Sequence, residues 1–319
     1  MQAKQSGVAT LVSCPEIICI EVQGADAITF LQSQLTQDVQ LLSQGRAALS
    51  GYCSPKGRLL ATMILLPGPT AEDVRILIRA DLAESFLKRI RMFVMRSKAT
   101  FTVRDDLSIL GLNWSADAVQ ADWPSLPDTV WQTITTEQGQ ITRAPSKNTD
   151  EARAWLVRPT DKPMAFEGQL KPADNQDWQA QDILAGLPWI AESTRDLFIP
   201  QSLNMDLIDG VSFSKGCYPG QEVVARAHYR TQVRRRMHAG QTLESNIELA
   251  PAADIVEKDA SDRPVGRVIQ TAQINQGAHA VVLFEAPLDK LDPEKLAVMN
   301  EDGAQAIELV ALPYSTAAE

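Results

Sequence analysis

The order of the apolar segments in the first third of this 319-residue chain constrains its fold most strongly. Residues 17–22, 59–66 and 74–78 are short apolar runs of the kind found in buried strands. A short helix is predicted after Asp26, and an amphipathic helix over residues 81–95 is predicted to bury Leu82, Phe86, Ile90 and Phe93. This order argues against a regularly alternating α/β fold.

The hydrophobic pattern of the sequence changes along the second half of the chain. Residues 174–186 return to a helical pattern, and beyond Gly240 short β-like runs alternate with turn residues. A chain of this length holds roughly two domains at about 150 residues each. We therefore predict one region over residues 1–236 and a small β-barrel domain over residues 237–319.

Composition restricts the class of protein. The net charge is −10, which opposes non-specific adhesion to nucleic acid or to an anionic membrane. The sequence shows no secretory signal pattern and no apolar run long enough for a membrane span, so a cytoplasmic protein without a membrane partner is predicted. Four scattered cysteines and three histidines show neither a disulfide framework nor the spacing of a zinc site.

The segment KGCYPGQE, residues 215–222, is the strongest candidate for chemistry. Two glycines and a proline within six residues predict a turn, so Cys217 is expected in a loop. Lys215 and a helix starting near Gln221 would both favour a thiolate at Cys217. Free cysteines are usually small buried hydrophobes, and the residues alone leave these two interpretations equally balanced.

Two further features leave alternatives open. His228 follows Cys217 by eleven residues and could serve it as a base, although a core or surface histidine is the more common case. The stretch 223–243 has no acidic residue and is rich in arginine, so it could hold a polyanion or could be a solvated strand. Its arginines are Arg226, Arg230, Arg234, Arg235 and Arg236.

The run FIPQSLNMDLIDGVSFSKGCYPGQEVVARAHYR, residues 198–230, resembles the YgfZ family of folate-binding, tRNA-modification-related proteins. The hallmark of that family is KGCYxGQE followed by an arginine. Further matches are GADAITFLQSQLTQDV, CSPKGRLLA, DILAGLPWI and the ending ALPYS, so the resemblance covers nearly the whole chain. It implies the fold of the glycine-cleavage aminomethyltransferases: an α+β cloverleaf of subdomains around a central channel, with a C-terminal β-barrel.

The resemblance also implies a function and a set of residues. It implies that residues 1–236 bind tetrahydrofolate or a derivative in the channel, and that the protein supports iron–sulfur enzymes, including a radical enzyme that thiomethylates tRNA. Direct nucleic-acid binding is not expected. Ile17 stands where a second folate-associated aromatic residue can occur, which suggests weaker stacking. The functional residues implied are Cys217, Lys215 and Glu222, and the folate-binding ones are Trp178, Tyr218, Gly220, Gln221 and Arg226.

One departure bears on the alternative, a folate-dependent aminomethyl- or methyl-transferring enzyme. Aminomethyltransferases carry aspartates after a glycine-rich turn, one of which assists the folate chemistry. Here Lys56 and Gly57 lead into Ala61 and Thr62. Neither side chain can act as a general base at neutral pH, so aminomethyl transfer is the less favoured function.

Overall fold

The computed structural model describes residues 9–119, 123–148, 151–229, 233–287 and 292–316. Arg230, one member of the arginine-rich stretch, lies outside these ranges. Within them, no helix combines the length and the apolar character that crossing a membrane would require.

The first layer is a five-stranded sheet built from the N-terminal third of the chain. Its strands have the order β3-β4-β5-β2-β6 and all neighbours pair antiparallel. Two helices accompany it, and the central strands are buried almost throughout because both faces of the sheet are covered. The elements are β2 (Ile17–Gln23), α1 (Ala27–Gln32), β3 (Ala48–Cys53), β4 (Leu59–Pro67), β5 (Val74–Arg79), α2 (Ala80–Val94) and β6 (Thr100–Val103).

The second layer is a six-stranded sheet of order β11-β1-β7-β10-β9-β8. The N-terminal strand β1 lies in this sheet, between β7 and β11, although the strand that follows it belongs to the first sheet. This crossing of the chain joins the two sheets into one body with a shared apolar core. The elements are β1 (Ala9–Ser13), β7 (Leu107–Ser115), β8 (Thr133–Thr136), β9 (Gly139–Arg143), β10 (Glu151–Pro159), β11 (Lys171–Pro172) and α3 (Asn175–Leu184).

The C-terminal part is a closed six-stranded antiparallel barrel of order β12-β15-β14-β13-β16-β17. Closure leaves no free sheet edge, and the barrel encloses its own apolar cluster. The division predicted between residues 236 and 237 remains a prediction. The elements are α4 (Gln221–Tyr229), which precedes the barrel, and β12 (Arg235–Thr242), β13 (Asp254–Glu257), β14 (Gly266–Ile274), β15 (His279–Pro287), β16 (Leu296–Asn300) and β17 (Gly303–Val310).

The predicted α+β class and the C-terminal barrel are confirmed. The strands predicted over residues 17–22, 59–66 and 74–78 and the helices predicted over 81–95 and 174–186 lie within two residues of the observed ones, whereas strand ends in the barrel differ by up to four residues. The expected burial of Phe93 is wrong: its side chain is 45% exposed at the end of α2, whereas Leu82, Phe86 and Ile90 are buried. Phe93 lies one residue before the end of the helix, and there its neighbour Val94 packs against the core instead.

The chain beyond the barrel returns to the N-terminal body. The Tyr314 hydroxyl donates to the carbonyl oxygen of Gly186, which follows α3, at 3.1 Å. Gly186 has φ +67°, and a Cβ atom there would lie 2.7 Å from the tyrosine ring. The glycine is therefore needed both for its backbone conformation and for the close approach of the ring.

Candidate functional site

Cys217 differs from the other three cysteines in its exposure. Cys217 lies in a loop, as predicted, and is exposed, whereas Cys14, Cys19 and Cys53 are buried. Burial raises the pKa of Cys19 and of Cys53 to about 12, and it raises the pKa of Cys14 as well. Because the thiolate is the nucleophile, these three thiols are inert at neutral pH. Cys217 is the one cysteine that a substrate or partner can reach.

Lys215 fixes the position of the loop, and its ammonium group is not directed at the Cys217 thiol. Its ammonium group donates to the carbonyl oxygens of Gln32 at 2.5 Å, Leu35 at 2.6 Å and Gln37 at 3.2 Å. A lysine has three N–H donors, so these bonds use all of them. Burial lowers the pKa of Lys215 to about 8, and the charge of Asp38 opposes that shift. The structure therefore gives Lys215 a positioning role, and its donors are not directed at Cys217.

Two glycines bring the motif loop against the turn that follows β3. Gly220 has φ +80° and Gly57 has φ +72°, both in the left-handed region. A Cβ atom on Gly220 would overlap the carbonyl oxygen of Ser54 and lie 2.7 Å from the Cα of Gly57. The segments CSPKG and KGCYPG, distant in the sequence, are thus in backbone contact, and this contact fixes the base of the Cys217 loop.

We expect Gly220→Ala to destabilise the protein by about 2–3 kcal/mol, since it combines a strained backbone with a clash against backbone atoms. Gly216→Ala in the same loop is the matched control, because a Cβ atom there meets nothing within 4 Å. Denaturant unfolding, with alkylation of Cys217 as a second readout, measures both effects. Equal stability losses in the two variants would contradict the packing described here.

The other motif residues fall into two groups. Tyr218 is buried beneath the loop, and burial raises its pKa. Helix α4 begins at Gln221, as predicted, and the Gln221 N–H donates to the Tyr218 carbonyl oxygen at 3.1 Å. Glu222 and Arg226 form an exposed pair at 3.1 Å on the first turns of α4. The roles predicted for these residues toward a ligand stay predictions.

The possible Cys–His pair finds no support in the geometry. The imidazole of His228 stacks on the ring of Phe213, with centroids 3.7 Å apart and planes 12° from parallel. Tyr229, which is 68% exposed, packs edge-on against both rings. The sequence gives no periodic signal for this cluster, because Phe213 lies in an irregular segment and meets α4 only through the fold.

The arginine-rich stretch is largely occupied by ion pairs. Arg235 pairs with Glu285 at 2.6 Å, and Arg236 pairs with Asp206 at 2.6 Å while donating to the Gln201 carbonyl oxygen. The stretch is therefore neither a free polyanion site nor a purely solvated strand. Through these contacts, both arginines attach strand β12 to neighbouring segments of the chain.

A cavity of about 420 Å³ lies between α3 and β14. Its walls combine the carboxylates of Glu16 and Asp182 with side-chain amides, and Ile17 contributes an apolar contact. The Oε1 atom of Gln273, another lining residue, is buried without a hydrogen-bond partner. Burial raises the pKa of Glu16. The cavity is thus rich in hydrogen-bond acceptors.

Trp178 does not line this cavity as an open stacking surface. Its ring is 1% exposed, and the Arg153 guanidinium lies 4.0 Å from its centroid. The ring also packs on Gly111, where a Cβ atom would clash with the indole. The role predicted for Trp178 toward folate stays a prediction, and in this structure core packing covers the ring. Trp189, on the cavity wall, donates its indole N–H to Asp182 at 2.8 Å.

A second cavity, of about 390 Å³, adjoins the motif loop. Ser214, three residues before Cys217, is on its wall, together with Phe213. Trp131 lines it with φ +70°, a left-handed conformation that is rare for a bulky residue. The sequence pattern did not indicate Trp131, whose position depends on contacts between the two sheets.

Small side chains with structural contacts fill the positions where the resemblance implies that an aminomethyltransferase would carry carboxylates. Ala61 is 1% exposed, and the Thr62 hydroxyl accepts a hydrogen bond from the Ile190 backbone N–H at 2.9 Å. The residue after Ile190, Ala191, lines the 420 Å³ cavity. Through Ile190, Thr62 is therefore hydrogen-bonded to the segment that leads into the wall of that cavity.

Comparison with known proteins places this geometry in a family. No family model matches the chain. The tRNA-modifying protein YgfZ of Sodalis glossinidius is 31% identical over 96% of the chain and 93% of its own length. The protein of that name from Serratia proteamaculans is 30% identical over 97% and 94%.

Among solved structures, the glycine cleavage system aminomethyltransferase T of Bartonella henselae superposes with a TM-score of 0.70. The superposition covers 96% of this chain and 86% of the transferase chain, at 14% sequence identity. This similarity shows the aminomethyltransferase fold that the resemblance implied. Because the chain is at least 30% identical to these two relatives over nearly its full length, it belongs to the YgfZ family.

Proposed function

We propose that this protein is a folate-binding accessory protein that supports tRNA modification, with Cys217 as its functional thiol. The observation that carries the proposal is the exposure of Cys217 in the family motif, while the other three cysteines are buried. Its relatives bear the name of tRNA-modifying proteins, which supports the process.

The iron–sulfur part of the proposal rests on the family resemblance. A reduced, accessible thiol suits a role beside labile clusters, because thiolates are the usual ligands of iron–sulfur centres. We place this role in the cytoplasm, where thiols stay reduced. Since the described arginines of the basic stretch are mainly paired, the protein would act through partner enzymes, such as a radical tRNA-thiomethylating enzyme, rather than by holding tRNA.

The 420 Å³ cavity is our candidate for the folate site. The edge of a reduced pterin ring carries several N–H donors, which match the Glu16 carboxylate and the unpartnered Oε1 of Gln273. Ile17 would give the ring an apolar contact without aromatic stacking. Arg79, also on the wall, could receive a carboxylate of the glutamate tail. When bound, the folate would supply a one-carbon carrier, and these side chains would bind and orient it.

Isothermal titration calorimetry with 5-formyltetrahydrofolate tests the folate site. We expect saturable binding that Glu16→Ala weakens about tenfold, since a hydrogen bond to a charged group contributes about 1.5–3 kcal/mol. Glu301→Ala is the control, because this exposed carboxylate does not line the cavity and has no predicted role toward a ligand. No saturable binding, or equal affinities of the wild type and Glu16→Ala, would contradict the assignment.

Aminomethyl transfer remains the less favoured function. A transferase should release methylenetetrahydrofolate from an aminomethyl donor and tetrahydrofolate. Ala61 and Thr62 leave no general base at the corresponding position, and Thr62 is already engaged by Ile190. We therefore attribute no such turnover to the protein, and product formation by the pure protein would favour the transferase instead.

A further inference from the structure

A third cavity, of about 320 Å³, lies beside α2 and shares no lining residue with the other two. Three of its lining residues are the cations Lys88, Arg89 and Arg195, and none is acidic. This is a local excess of positive charge in a chain whose net charge is −10. Its volume falls within the range of about 300–1,000 Å³ that is usual for small-molecule sites.

The cations that line this cavity have N–H donors that can bind a ligand. The Nε atom of Arg89 is buried and has no hydrogen-bond partner. Lys88 is exposed and forms no ion pair among the residues that the structure describes. Arg195 pairs with Glu192 at 2.8 Å through one nitrogen, and a guanidinium group has five N–H donors. An oxyanion in the cavity could therefore accept several charge-assisted hydrogen bonds.

The floor of the cavity combines polar and apolar contacts. Tyr52, at the base, is buried; burial raises the pKa of its hydroxyl, and the nearby charge of Arg89 opposes that shift. Leu60, Phe86 and Met92 supply apolar surface beside the cations. A buried guanidinium nitrogen without a partner is costly unless a ligand or water satisfies it. The combination suits a ligand with a charged end and an apolar body.

We infer that this cavity binds a small molecule that carries a phosphate or carboxylate group, held by Lys88, Arg89 and Arg195. A small ligand is favoured over a nucleic acid, because the net negative charge of the protein repels a polyanion over its whole length. The site is separate from the proposed folate cavity, so its test does not depend on folate binding.

Calorimetric titrations with AMP, pyrophosphate and citrate test the inference and separate phosphate from carboxylate ligands. We expect at least one probe to bind, and the double variant Lys88→Met/Arg195→Met to weaken it tenfold or more, about the loss of one charge-assisted hydrogen bond. Both side chains are exposed, so the variant should fold. The control is Arg96→Met, an exposed cation just beyond α2 that does not line the cavity.

Binding that depends on Lys88 and Arg195, but not on Arg96, supports the inference, and the probe that binds identifies the chemical group. Three results would overturn it. These are no saturable binding of any probe, equal losses in the control and the double variant, and binding of a small anion with the same affinity in the double variant as in the wild type.

Discussion

Replacing Asp182 by alanine is expected to destabilise the protein by about 3–5 kcal/mol, because it leaves a buried charge without its partner. Asp182 is 3% exposed, and Arg153, with which it forms an ion pair, is 1% exposed. One carboxylate oxygen accepts from Arg153 and the other from the Trp189 indole. The substitution also removes the support of Trp189 at the wall of the proposed folate cavity.

Denaturant unfolding measures this loss. Asp177→Ala is the matched control, since Asp177 is an exposed aspartate on the same helix, and its removal should cost under about 1 kcal/mol. The double variant Asp182→Leu/Arg153→Met should recover much of the stability, because an apolar pair can replace a buried ion pair at little cost. A loss for Asp182→Ala no larger than that of the control would contradict the role assigned to the ion pair.

Local pattern was sufficient where an element is decided by its own residues. The apolar run of β4 and the apolar stripe of α2 can be recognised in the sequence. A buried strand requires a continuous apolar run, and a half-buried helix requires apolar residues every three or four positions. Gly220 and Pro219 likewise predicted the loop that carries Cys217. The order of the strands was not accessible in this way, since β1 leaves its sequence neighbours to pair in the second sheet.

The site was harder to predict than the fold, because its contacts join residues far apart in the sequence. Lys215 was expected to act on a thiol two residues away, yet its donors are used by carbonyl groups of residues 32–37. Trp178 was expected to face a ligand, but the guanidinium of Arg153 and the absence of a side chain at Gly111 create a closed core position for it. No local pattern reports such pairings.

The substitution Cys217→Ala is expected to abolish the contribution of this protein to tRNA modification while leaving its fold intact. The side chain is exposed, so its removal creates no cavity in the core. Cys53→Ala is the control, because it removes a thiol that burial keeps protonated. If Cys217 is the functional group, only the first substitution should abolish the process, whereas Cys53→Ala opens a small core cavity and should lower abundance at most.

The most direct test is the level of thiomethylated nucleoside in tRNA from cells that lack the gene and carry one of these variants, measured by mass spectrometry. The proposed function predicts the level of the deletion strain for Cys217→Ala and the wild-type level for Cys53→Ala. A wild-type level of thiomethylation with Cys217→Ala would contradict the central role of this cysteine.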